Sequence, residues 1–317
     1  MTSPMSTHAS SAPPRGAITP PHDRLLAHIE DRSAALRKAA AAVDLGAQVP
    51  SCPDWSVRDL VTHIGSVQRF WAVVVAAGPS DTPPARGEGT PVWISGDAAP
   101  PGPEAGTDEL LSWAEESTAL LIATLRAADP DSGCWTWWGA SRAPQTVGAV
   151  ARHQVQEAAV HAYDAQLAAG TPEALPGEVA LDGIDEFLSV SYGTATPWPH
   201  PAARIDLRTT EGPAWQIALS EGGTATVTTE IPDAPRGDHD GSAEAEDSHA
   251  ADHHRLTLHA PASDLALTLH RRTSADTLQA PAGADGQDNA VGDGQAGGTG
   301  DGDAALLDRL LAWPSLD

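Results

Sequence analysis

Apolar residues recur near a 3.6-residue period in four long stretches of the N-terminal half, which predicts four amphipathic helices. Helix one spans Asp23 to Val43, with Leu25, Leu26, Ile29, Leu36, Ala40 and Val43 on its apolar face. Helix two runs from Val57 to about Ala77, striped by Leu60, Val61, Ile64, Val67, Phe70, Trp71 and Val74. Ser56 and Asp59 before it resemble a capping box, with the shorter Asp in place of Glu or Gln. Ahead of that box, the two prolines of Val49-Pro-Ser-Cys-Pro-Asp-Trp-Ser56 block helix and predict a stiff turn. Helix three is Asp108 to Ala128, carrying Leu110, Leu111, Ala114, Leu121 and Leu125. Helix four is Pro144 to Ala169, with proline suited to its first turn and Gly170 to its exit. Four such helices argue for a bundle. Pro79 to Gly106, rich in Pro and Gly, is a long loop and a candidate rim over a pocket.

Beyond Gly170 the pattern changes. Pro176 to Tyr192 still reads as helix, but Arg204-Ile-Asp-Leu-Arg-Thr-Thr and Trp215-Gln-Ile-Ala-Leu alternate as strands around a Glu211-Gly-Pro turn. Thr224-Ala-Thr-Val-Thr-Thr continues the meander, Arg255-Leu-Thr-Leu-His adds a strand, and Ala262 to Arg271 and Asp303 to Trp313 are helices. Two acidic, Gly-rich interruptions, 232–252 and 280–302, have almost no large apolar residues and read as disordered insertions. The expected organisation is a disordered tail (1–21), a helical bundle (22–172) and a smaller α+β domain (176–317).

At 317 residues with 41% hydrophobic content, two cores are affordable. A formal charge of −25 argues against nucleic acid and anionic membrane as partners. No apolar run approaches the roughly 20 residues of a membrane span. The start lacks the apolar core of a secretory signal, and the two cysteines, Cys52 and Cys134, fit a reducing compartment, so a cytoplasmic location is expected.

Chemistry concentrates on helix four. Gln154, Glu157, His161 and Asp164 recur at three- and four-residue intervals and share one face. Glu157 and His161, one turn apart, can bind one ion, although such a pair alone is weak evidence. His63 strengthens it, because it lies on the apolar face of helix two, where a neutral imidazole is a good ligand. A divalent cation held by His63, Glu157 and His161 would compensate the buried carboxylate and keep an open coordination position. Asp164 either orients a ligand's free ring nitrogen, or faces solvent or caps a neighbouring element. The three tryptophans of Cys134-Trp-Thr-Trp-Trp138 either pack against the bundle end or wall a pocket. Arg271 or Arg272 can supply a cation for an anionic substrate or simply charge a helix end. His249-Ala-Ala-Asp-His-His254 reads as a solvated run. No phosphate loop, nucleophile elbow or C-x-x-C pair is present.

Cys52-Pro-Asp-Trp-Ser-Val-Arg-Asp-Leu-Val-Thr-His63 and Glu157-Ala-Ala-Val-His161-Ala-Tyr-Asp164 together resemble two motifs of the mycothiol-dependent maleylpyruvate isomerase family. The resemblance implies an α+β fold: an N-terminal DinB-like four-helix bundle followed by a smaller α+β sterol-carrier-like domain. It puts His63, Glu157 and His161 at metal-ligand positions, zinc being the usual assignment, and makes mycothiol the thiol cosubstrate. His153 and Gln154 depart from it, standing where more apolar residues are expected.

The function this implies is a metal-dependent, mycothiol-using isomerase or thiol transferase acting on a small electrophile, with Arg272 as a candidate catalytic cation. The alternatives are a non-catalytic metal-containing ligand-binding protein and a regulatory protein whose acidic insertions bind a basic partner. Nitrogen and oxygen ligands suit several metals.

Overall fold

A computed structural model describes residues 18–84, 99–230, 254–274, 278 and 300–314. Its N-terminal part contains helices α1 (His22–Ala40), α2 (Val57–Ala77), α3 (Thr107–Ala127) and α4 (Val147–Ala168). α1 packs along α4 and α2 along α3, with α1 also meeting α3 and α2 meeting α4. Close approach of α2 and α3 depends on Gly65, against which the Trp113 ring lies flush. α2 is long and apolar enough to cross a membrane by length and composition, contrary to the expectation from sequence. Its apolar face is nevertheless core, with Leu60, Val61, Ile64, Trp71, Val74 and Val75 all buried.

Several boundaries differ from the sequence reading. The expected stiff turn is a two-stranded antiparallel hairpin, β1 (Gln48–Val49) with β2 (Cys52–Ser56). Pro50 falls between these strands and Pro53 near the start of the second, where a missing N–H is tolerated. The capping box is present: Ser56 N donates to Asp59 Oδ2 at 2.9 Å and Asp59 N to Ser56 Oγ at 3.3 Å. α4 starts later than expected, because Thr146 caps it by accepting from Ala149 N. Pro144 lies outside the helix, where its carbonyl accepts from Trp138 Nε1. Gly170 does form the exit, at φ +70°.

The C-terminal part begins with α5 (Gly177–Thr194) and continues with β3 (Ala203–Thr209), β4 (Ala214–Leu219) and β5 (Thr226–Glu230). Next come β6 (His254–Ala260), α6 (Ala262–Leu269) and α7 (Gly300–Ala312). β5, β4 and β3 form the antiparallel meander, and β6 adds to the free edge of β3 in parallel, giving the order β5-β4-β3-β6. A mixed helix-and-sheet fold with the helical region first is therefore as expected. α7 begins at Gly300, so the last residues of the expected 280–302 insertion are helical. His254 opens β6, and the rest of the His249–His254 run lies outside the described residues. The rest of both interruptions lies outside the described residues, as do residues 1–17, while Ile18 packs on the core.

One apolar cluster runs without a break from Leu25 and Ile29 through Val155 on α4 to Ile184, Trp215, Leu265 and Leu310. The helical and sheet regions thus share a core. A second cluster gathers Leu36, Val49, Val57, Leu60, Leu110 and Trp113 around Ala162 and Ala165 of α4. That packing holds the β1–β2 hairpin against the stretch of α4 carrying His161 and Asp164.

Candidate metal centre and cavity

α4 presents Glu157 and His161 one turn apart, and α2 brings His63 opposite them. His63 Nε2 and His161 Nε2 each stand 3.7 Å from Glu157 Oε2. One ligand atom from each of the three residues lies within 4.8 Å of the others. A tetrahedral ion with bonds of about 2.1 Å separates its ligand atoms by roughly 3.4 Å, so this donor set fits one with little movement. Burial pushes the Glu157 carboxyl up, but His63, His153 and His161 around it outweigh burial and hold it well below the usual carboxylate range. The carboxylate is therefore anionic, and its neighbours are histidines rather than permanent cations.

Trp55 of the hairpin covers the site, its ring 4.7 Å from that of His63 and stacked at 5.9 Å over His161. Behind His161, its Nδ1 donates to Asp164 Oδ2 at 2.8 Å. Of the readings open for Asp164, solvent exposure is ruled out by its full burial, and its bond to His161 places it to orient that ring. It also accepts from Ser51 Oγ at 2.6 Å and from the Arg272 guanidinium. Burial raises the Asp164 carboxyl, yet His161 and Arg272 more than reverse this and leave it far below its ordinary value.

The two arginines after α6 have different fates. Arg272 turns into the site, paired with Asp164 and with Nη2 3.6 Å from Cys52 Sγ. Arg271, at φ +60°, turns to the C-terminal segment and donates to the carbonyls of Leu311 and Pro314.

His153, one turn before Glu157, reaches Glu157 Oε1 with Nε2 at 3.6 Å. Its Nδ1 donates to Glu186 Oε1 of α5 at 2.9 Å. Burial lowers the His153 pKa and the two carboxylates raise it further than burial lowers it. Next to it Arg152 bridges Asp182 and Asp185 of α5 at 2.7 and 2.8 Å. Gln154 does not join the face assigned to it: it is fully buried, with neither amide atom hydrogen-bonded among the described residues.

These groups open onto a cavity of about 900 Å³ between the helical and sheet regions. His63, Glu157, His161, Cys52, Trp137 and Arg272 are among its walls, and Phe187, His270 and Trp313 close the side of the sheet region. Both readings of the tryptophan turn hold, for different residues. Trp138 is buried in the core, whereas Trp137 is 47% exposed and lines the cavity. Burial pushes the Cys52 thiol up, Asp164 adds to this, and Arg272 opposes both.

Ser51, Trp55, Glu186 and His270 were not singled out from sequence. Glu186 had a readable signal, since Asp182 and Glu186 fall on the apolar face of α5 beside Val179, Ile184 and Phe187. Acids there need partners across a helix interface. The hairpin residues had none, because two prolines masked the strand.

Residues 26–166 match the family model described as the mycothiol maleylpyruvate isomerase N-terminal domain. Two solved structures are also similar over most of the chain. One is a mycothiol-dependent maleylpyruvate isomerase, at 14% identity and TM-score 0.48, covering 83% of this chain and 95% of that one. The other is a histidine-to-alanine mutant of such an isomerase, at 13% identity and TM-score 0.49, with the same coverage of 83% and 95%. No curated protein matches the chain. The N-terminal helical region of this chain, residues 26–166, belongs to the mycothiol maleylpyruvate isomerase N-terminal domain family.

Proposed function

We propose that the chain is a metal-dependent enzyme that uses mycothiol, or a closely similar low-molecular-weight thiol, against a small electrophile. The observation that carries this reading is the convergence of His63, Glu157 and His161 donor atoms within 4.8 Å at the wall of a large cavity. Membership of the N-terminal region in a mycothiol-related family supports the thiol. His63, Glu157 and His161 would hold the ion, with zinc the first candidate. When bound, the ion lowers the pKa of the thiol so that a thiolate exists near neutrality.

The protein's own groups do the rest. Asp164 fixes the ring of His161, and Trp55 packs against the two imidazoles. Arg272 is the candidate catalytic cation, its guanidinium lining the cavity beside Cys52 and able to attract an anionic electrophile. Addition of the thiolate to an activated double bond, rotation and loss of the thiolate give cis–trans isomerisation. Protonation of the adduct carbon gives a thiol conjugate instead.

The test is metal analysis of native protein and of Glu157→Ala, followed by a thiol-dependence screen on electrophilic substrates. About one ion per native chain and almost none in Glu157→Ala is expected, with turnover only when thiol is added. Equal metal content in the two proteins overturns the reading.

A further inference from the structure

Glu157 uses its two carboxylate oxygens differently. Oε2 faces His63 and His161, both at 3.7 Å, whereas Oε1 faces His153 Nε2 at 3.6 Å. His153 is not free to choose this orientation. Its Nδ1 is anchored on Glu186 Oε1 at 2.9 Å, and Glu186 is itself almost entirely buried on α5. The imidazole is further boxed by Trp138 at 5.0 Å, Trp137 at 5.8 Å and Trp71 at 6.0 Å between ring centroids. Rotating it would break the Glu186 bond and disturb its ring contacts with the indoles. Neither His153 nor Glu186 is required for packing of this kind, because an apolar residue would fill a tryptophan-lined slot without the cost of burying two polar groups.

We infer that His153, anchored by Glu186 and boxed by three tryptophans, is a positioning residue that holds Glu157 Oε1 away from the ion and so commits the carboxylate to one-oxygen binding through Oε2. The inference rests on the metal reading above. A carboxylate left to itself readily binds through both oxygens and fills the coordination position that a thiol needs. The device also makes the site depend on the C-terminal region, since Glu186 lies beyond the residues 26–166 of the family match.

Cobalt(II) is the probe, because its visible absorbance is strong in four-coordinate sites and weakens as ligands are added. Full-length native protein, His153→Phe, His153→Gln and Glu186→Gln are titrated with cobalt against a chelator. In His153→Phe the expected results are a weaker visible band and a cobalt affinity lowered roughly 10- to 100-fold. His153→Gln, which retains an N–H donor, should recover part of both. Glu186→Gln preserves side-chain volume and gives the reading should His153→Phe fail to fold; a fall of several-fold in affinity is expected there. Native affinity and an unchanged band in the folded variants overturn the inference while leaving the metal reading intact. A native chain that binds no cobalt overturns both.

Discussion

The guanidinium of Arg272 forks onto the carboxylate of Asp164, with Nε 3.0 Å from Oδ1 and Nη2 3.0 Å from Oδ2. One residue follows α6 and the other lies on α4, so this pair links the sheet region to the helix that carries Glu157 and His161. Both side chains are well buried, at 15% and 0% exposure. Removing one partner therefore strands a charge rather than merely losing a contact. Arg272→Met is expected to destabilise the fold by about 3 kcal/mol, the usual cost of leaving a buried charge unpaired. Asp164→Asn in the same chain should restore part of that loss. Chemical denaturation of the native protein and the two variants measures it, and a double variant no more stable than Arg272→Met contradicts the account.

His270 gives a prediction in pH. Burial first, and the nearby Arg272 second, push its pKa from the ordinary 6.5 down to about 4. Its Nε2 is shielded from solvent and has no hydrogen-bond partner among the described residues, and its ring meets Phe187 at 4.8 Å. The folded state therefore prefers the neutral ring, while the unfolded chain takes up a proton below pH 6.5. Stability from this residue is complete above pH 6.5 and is lost as pH falls towards 4, by up to about 3 kcal/mol. His270→Phe should lose less stability than native protein between pH 7 and pH 4. Parallel pH–stability curves for the metal-free proteins would rule this out.

How much of this was legible in the chain follows from the range of each signal. The stripes of α1 to α4 and the capping box at Ser56 and Asp59 are local, and the sequence reading finds them within a few residues. His63, Glu157 and His161 were also readable, because a polar residue inside an apolar stripe and a one-turn spacing are local facts. The partnership of Arg272 with Asp164, 108 positions apart, is not, since no period connects residues on different elements. The same holds for Glu186 with His153. The hairpin was hidden by its prolines, and the start of α4 was misread because Pro144 suits a first turn as well as the turn it occupies. Gln154 shares the spacing of the site residues yet is buried elsewhere in the packing, a reminder that three- and four-residue intervals define a broad face.

Gly65 tests the packing that brings α2 alongside α3. A Cβ built there would stand 2.1 Å from Trp113 Cζ3, deep inside the ring's van der Waals surface. In a helix interior Ala is favoured over Gly by about 1 kcal/mol. Displacing a buried indole should cost about 1–3 kcal/mol and outweigh that gain. Gly65→Ala is thus expected to lower the thermal midpoint, even though the same exchange stabilises an unobstructed helix. A raised midpoint would mean that α2 and α3 do not pack this closely.

Thiol reactivity reads the electrostatics beside the metal centre. The Cys52 thiol is raised by burial and by Asp164, with Arg272 opposing. Cys134, buried and raised by burial alone, is pushed up to about 11 and should stay inert. Thiolate is the reactive form, so at neutral pH native protein should be alkylated slowly, and at Cys52 first. Asp164→Asn removes the anion that raises Cys52 and frees Arg272 from its partner; both changes act in the same direction. Alkylation of Cys52 in that variant should be several-fold faster than in native protein, followed by mass spectrometry of the folded protein at pH 7.5. A rate equal to or below native would show that Asp164 does not set the potential at the sulfur, and would take with it the picture of a carboxylate shared among His161, Arg272 and Cys52.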